Sequence, residues 1–129
     1  MTNWTSVELT RIGDAEELRV ASLRGDGTLR PFVTIWVVRV DDNLYVRSAY
    51  GADNPWFRRA KASGSGRIRA GTVERDVTFA EHQPDSDDAI DAIDAAYHAK
   101  YDRHGAAIVA TVTGPVAASN TLRLLPRES

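Results

Sequence analysis

The 129-residue chain contains no cysteine, which removes disulfides, thiolate zinc sites and cysteine nucleophiles together. Lysine is scarce as well. Of sixteen cationic side chains only Lys61 and Lys100 are lysines, so the positive charge is carried by planar, five-donor guanidiniums. No apolar run approaches the ~18 residues of a membrane span. The N-terminus is polar without a leader pattern, so the expectation is a soluble, cytoplasmic protein with no membrane partner. Gly64-Ser65-Gly66 lacks the third glycine of a dinucleotide loop and precedes a strand instead of a helix. No nucleophile-elbow sequence supports a hydrolase triad. His82, His98 and His104 lack a recognised metal spacing, so neither a metal site nor a catalytic residue is assigned.

The length suits one domain over residues 1–129, with a core large enough to need no covalent staple. Charge is strongly segregated. Between Leu44 and Arg75 seven Arg or Lys face two acids, a net +5, whereas Asp76 to Ala99 holds seven acids and no Lys or Arg. With acid flanking the basic segment and a pI near 5.9, nucleic acid is not the expected partner.

Thr5 and Glu8 have capping-box spacing, and Trp4 with Leu9 that of a hydrophobic staple, for a short helix ending near Gly13. Glu17 to Leu23 reads as a strand and Gly25-Asp26-Gly27 as a hairpin turn. Phe32 to Val40 (FVTIWVVRV) then reads as the strongest strand. Being apolar on both faces, it should be central or sit at a subunit contact. Leu44 to Ser48 returns antiparallel after the Asp41-Asp42-Asn43 turn. Ser63 to Gly66 reads as a flexible break, and Arg67 to Ala70 with Val73 to Glu81 as a second hairpin through Gly71. Asp85 to Tyr101 is the best helix. It carries an apolar stripe of Ile90, Ile93, Tyr97 and Tyr101 and a solvated stripe of Asp87, Asp91, Asp94 and His98, with Lys100 snorkelling at the edge. Ile108 to Val112 reads equally as strand or short helix, and Thr121 to Leu125 as a last strand.

The stretch from Leu44 to Ala70 carries the functional signal. Asn54 offers an N-cap and Pro55 a first helical position, so a helix starts soon after a strand end and carries Trp56, Phe57, Arg58 and Arg59. Arg47-Ser48 and Arg58-Arg59 flank one turn, and Arg30 precedes the adjacent strand, so three short segments can bring guanidiniums and helix N–H groups to one anion. Trp36, Trp56 and Tyr45 suit a core or interface, and could also wall a flat ring system.

Arg30-Pro31, Thr34-Ile35-Trp36-Val37-Val38, Leu44-Tyr45-Val46-Arg47-Ser48, Gly51, Asn54-Pro55-Trp56 and Arg58-Arg59 together resemble the split β-barrel flavin-binding superfamily, which includes pyridoxamine phosphate oxidases and deazaflavin-dependent nitroreductases. Ile90-Asp91-Ala92, Ala96-Tyr97, Lys100-Tyr101, Thr121-Leu122-Arg123-Leu124 and Pro126-Arg127 extend the likeness towards a bacterial family of unknown function within that fold. The resemblance implies an α+β fold, an antiparallel split β-barrel of about six strands with flanking helices, forming a homodimer with flavin sites at the subunit contact. By position, Arg47, Ser48, Arg58 and Arg30 would meet phosphate and Trp36 or Trp56 would lie near the ring, with Gly51, Asn54 and Arg59 completing the cofactor-binding set. Two functions follow from different classes. One is an FMN- or deazaflavin-dependent oxidoreductase acting on a small molecule; the other is a cofactor-free protein binding a small anionic ligand in the same groove.

Overall fold

The computed structural model describes residues 4–49, 53–81 and 87–127. Helix α1 (Ser6–Asp14) opens the chain with the expected capping box: the Thr5 hydroxyl accepts from the Glu8 N–H, and the Glu8 carboxylate accepts from the Thr5 N–H. Strands β1 (Leu18–Ser22), β2 (Val33–Ile35), β3 (Val38–Val40) and β4 (Asn43–Arg47) follow, then α2 (Pro55–Ser63), β5 (Ser65–Ala70) and β6 (Val73–Glu81). The long helix α3 (Asp87–Tyr101) is followed by the short helices α4 (Ala106–Val109) and α5 (Gly114–Ala118), and β7 (Thr121–Pro126) closes the chain. The start expected for α3 at Asp85 lies outside the described residues.

All seven strands form one antiparallel sheet in the order β2-β1-β5-β6-β7-β4-β3, one strand more than the sequence suggests. The difference arises in FVTIWVVRV. It is not one central strand but both edges of the sheet, broken at Trp36-Val37. That break dictates the shape of the sheet. Laid flat, seven strands would separate their edges by roughly 29 Å at the usual strand spacing. Three virtual bonds from Ile35 to Val38 span at most about 11 Å. The sheet must therefore curl until its edges nearly meet, which gives the expected α+β split barrel.

The curl divides the core in two. Leu44 and Val46 point inward with Ile68, Val77, Phe79, Leu122 and Leu124, and α1 and α2 add Ile12, Trp56 and Phe57 to the same cluster. Val38 and Tyr45 instead pack with Ile93, Tyr97 and Tyr101 of α3 and with Val109 and Val112. Alternation along β4 thus serves two apolar clusters, and both faces of the strand are buried.

Three local expectations change. Ser63 to Gly66 is not a flexible break: Gly64 caps α2 with φ 75° and Gly66 already lies within β5. Asn54 is the N-cap residue of α2 but makes no side-chain capping bond, so Pro55 at the first turn is the start signal the helix uses. Ile108 to Val112 resolves as helical, α4 followed by a 3₁₀ turn, because Val109 and Val112 reach the second cluster from one face. Among the described residues no helix is long and apolar enough to cross a membrane.

Gly66 is fixed by a close approach of two strands. A Cβ there would stand 2.0 Å from the Ala21 carbonyl oxygen and 2.9 Å from the Phe79 ring, and the backbone oxygen cannot step aside. Gly66→Ala is expected to lower unfolding free energy by about 3 kcal/mol. Gly25→Ala, with nothing within 4 Å, should change it by less than about 0.5 kcal/mol; urea denaturation of the two variants checks both values.

Candidate functional site

Ion pairing decides which arginines are available to a ligand. Within the basic segment, Arg67 pairs with Asp76 (2.8 Å), Arg69 with Glu74 (3.0 Å), Arg75 with Glu8 (2.7 Å) and Lys61 with Glu81 (2.9 Å). Arg58 and Arg59, exposed on α2, have no such partner among the described residues. They line a cleft of about 980 Å³ together with Arg24, Arg30 and Arg127, and no carboxylate lines it among the described residues. Arg24 donates to Thr28 Oγ1 at 3.3 Å and to the Leu29 carbonyl at 3.1 Å, and its charge adds to the Thr28 hydrogen bonds that lower the pKa of Asp26 in the same turn. Five guanidiniums on one cleft form an anion-attracting surface.

A second cleft of about 270 Å³ adjoins it. Trp36, Trp56, Ile35 and Asn54 line this smaller cleft, with Arg47 and Val112 also contributing. A small pocket of about 10 Å³ marks the junction between them: it shares Arg30 and Arg59 with the arginine cleft and Val33 and Trp56 with the aromatic one. Helix α2 separates the clefts and serves both, since Trp56, Phe57 and Ala60 turn into the core while Arg58 and Arg59 turn out. Trp56 meets Phe57 edge-on at 5.7 Å, and Trp36 stacks flat on Tyr101 at 4.0 Å and 4°.

The candidates from the sequence therefore divide. Arg30, Arg58 and Arg59 converge on one cleft; Trp36, Asn54 and Trp56 share the other; Gly51 lies outside the described residues. Arg47 is the correction. Expected to meet phosphate with Arg58 and Arg30, it does not line their cleft but is buried, and its side chain is fully enclosed. Its Nε donates to Thr121 Oγ1 (3.0 Å), its Nη1 to the Val112 carbonyl (2.9 Å) and to Asp94, and the guanidinium lies 5.6 Å from the Tyr97 ring centre. Asp94 thus leaves the solvated stripe expected for it, and its other oxygen accepts from the Gly114 N–H. Four elements, β4, α3, β7 and the segment before α5, are tied at this one charge. Nη2 is a buried nitrogen without a hydrogen-bond partner among the described residues, at a residue that lines the aromatic cleft. Ser48 is wholly buried beside it, its N–H donating to the Asn120 carbonyl. Sequence reasoning missed Arg24, Arg127 and Asp94 as contributors. Arg24 and Arg127 lie beside a turn and beyond a strand end, where no pattern separates them from ordinary surface arginines.

At the barrel seam, Val37 lies between the two edge strands. The Tyr101 phenol accepts from the Val37 N–H (3.2 Å) and donates to the Glu16 carbonyl (2.8 Å), while the Lys100 ammonium donates to the Val37 carbonyl (2.7 Å). Lys100 is thus committed to the seam instead of snorkelling freely. Burial pushes its pKa down from 10.5 to about 8; Glu16 and Asp14 oppose the shift and Arg103 adds to it.

Removing Asp94 would leave a guanidinium enclosed without its counter-charge. Asp94→Ala is expected to cost about 3 kcal/mol of unfolding free energy. Asp91→Ala, on the exposed face of α3, should stay within about 0.5 kcal/mol by the same urea measurement. Lys100 predicts a pH dependence of definite sign. Its folded-state pKa is the lower one, so the unfolded chain holds the extra proton between the two values and stability rises with pH across that window. The urea midpoint should therefore climb from pH 8 towards 10, and Lys100→Met should flatten this rise.

No curated protein matches the chain. Among solved structures, the chain is similar to an FAD-binding protein (mll6688) from Mesorhizobium loti at 19% identity, with 98% of this chain and 93% of that one covered and a TM-score of 0.54. It is similar also to HutZ, a heme storage protein from Vibrio cholerae, at 12% identity, 96% and 91% coverage and a TM-score of 0.63. An F420 reductase matches at 15% identity, 93% and 91% coverage and a TM-score of 0.53. At these identities the likeness shows the shared fold. The relationship at the level of sequence is carried by a family model matched over residues 8–124: the chain belongs to the family described as an uncharacterized protein conserved in bacteria (DUF2255).

Proposed function

We propose that the protein binds a flavin or deazaflavin and acts as an oxidoreductase on a small molecule, with the phosphate end of the cofactor on Arg30, Arg58 and Arg59 and the ring beside Trp36 and Trp56. The observation carrying this reading is the nearness of a cleft lined by five arginines to an aromatic one, with Arg30, Arg59 and Trp56 all bordering the small pocket between them. A phosphate ester attached to a flat ring needs both surfaces within one molecule's reach. The donor set fits the group: guanidinium forks match phosphate oxygens, and indole faces match a conjugated ring. The FAD and F420 named for two proteins of the same fold support the reading. When bound, the cofactor supplies the hydride chemistry. The chain's own residues bind and orient: α2 presents Arg58 and Arg59 from a helix whose opposite face is packed in the core, so their backbone is fixed before ligand arrives.

A homodimer belongs to this proposal. Val33 on edge strand β2 and Ile108 beside it are exposed apolar residues lining the aromatic cleft, and a second copy seated there would cover them and enclose the ring. The size of the arginine cleft relative to the aromatic one favours a second reading, a cofactor-free protein that binds a small anion in the larger cleft alone.

Titration with FMN, FAD and the deazaflavin, followed by flavin fluorescence or calorimetry, separates the two. Arg58→Ala and Arg59→Ala should each weaken cofactor binding about ten- to a hundredfold, the loss of one charge-assisted contact, with the fold unchanged. Absence of any cofactor binding below about 1 mM would leave the anion-binding reading in its place.

A further inference from the structure

A monophosphate uses less than the arginine cleft provides. Arg30 and Arg59 border the junction to the aromatic cleft, and Arg58 is on the same helix as Arg59; these three suffice to surround one phosphate group. Arg24 and Arg127 also line the cleft but neither borders the junction, and they come from different parts of the chain.

Neither side chain forms an ion pair with a carboxylate among the described residues, although the Arg24 charge also acts on Asp26 in its own turn. The turn carrying Arg24 is tied by Asp26, which accepts from the Thr28 N–H at 3.0 Å and from its hydroxyl at 2.6 Å, with Gly27 at φ 86°. Arg24 spends Nη1 alone on Thr28 and Leu29, so Nε and Nη2 remain. Arg127 is anchored through its backbone N–H to the Asp76 carbonyl at 2.8 Å. The Asp76 carboxylate pairs with Arg67, and among the described residues no carboxylate forms an ion pair with the Arg127 side chain.

Size points the same way. The aromatic cleft, about 270 Å³, falls below the range usual for a whole ligand and suits a ring; the arginine cleft, about 980 Å³, is at the upper end of that range and far exceeds one phosphate group. We infer that Arg24 and Arg127 extend the phosphate site into a diphosphate site, so that the ligand is a flavin dinucleotide and not the mononucleotide. This rests on the flavin reading above and names the ligand class within it.

The test compares FAD with FMN on the full-length chain at fixed low salt, by calorimetry, in wild type and in Arg24→Gln, Arg127→Gln and Arg59→Gln, with circular dichroism as the check on folding. Wild type should bind FAD at least about tenfold more tightly than FMN. Arg24→Gln and Arg127→Gln should each weaken FAD about tenfold while changing FMN less than about twofold, whereas Arg59→Gln should weaken both. Equal affinity for the two flavins, or equal losses for both in Arg24→Gln and Arg127→Gln, overturns the diphosphate site and leaves the flavin reading standing. Binding of neither flavin overturns both. A shift of the sedimentation coefficient in Arg24→Gln or Arg127→Gln with FAD affinity unchanged also overturns the diphosphate site, since the arginines would then serve a subunit contact.

Discussion

The two edges of a seven-stranded sheet are joined here by only two residues, Trp36 and Val37, and most of the molecule follows from that short tether. A sheet so tied cannot lie flat, and once curled it needs something to occupy the line where ladder pairing stops. Val37 lies on that line, fully buried, and its N–H and carbonyl are met by the Tyr101 phenol and the Lys100 ammonium from the last turn of α3. A buried peptide group without partners would be costly. The long acidic helix is therefore the closure of the barrel as well as an outer layer, and Trp36 is turned aside onto Tyr101 by the same arrangement.

Closure also determines where a ligand can reach. Val33 and Trp36 come from one strand edge, Trp56 and the arginines from α2, and Arg24 from the hairpin after β1, so the two clefts sit where the curl brings separate chain segments together. Electrostatics then discriminates between chemically identical side chains. Arg67, Arg69 and Arg75 are balanced across the β5–β6 hairpin and by α1, whereas Arg58 and Arg59 are not. A net charge of −2 for the whole chain conceals this local imbalance.

The sequence made some of this legible and hid the rest for identifiable reasons. The capping box at Thr5, the αL turn at Gly71, the alternation of β4 and the helix started by Pro55 are local devices, and each falls where local rules put it. FVTIWVVRV misled because an apolar strand buried on both faces and two apolar edges meeting at a seam have the same composition; only the pairing partners distinguish them. Arg47 misled for a related reason. Its alternation places it correctly opposite Val46, but nothing local says that a helix dozens of residues later will supply Asp94 to cover it. Convergence of Arg30 with Arg58 and Arg59 could be read from order along the chain. Recruitment of Arg24 and Arg127 needed the register of β1 and β7 in space.

The break at Trp36-Val37 has a consequence for the chain before it folds. Nine residues rich in Val, Ile, Phe and Trp, with Arg39 as their sole charge, form the kind of segment that stacks with copies of itself when exposed. In the finished barrel it is divided into edges of three residues each, too short to template a long ladder with another molecule. Folding thus competes with self-association at this segment until the Tyr101 end of α3 docks. Slow docking and high protein concentration both favour the aggregate, so recovery of native protein after denaturation will depend on how far the chain is diluted.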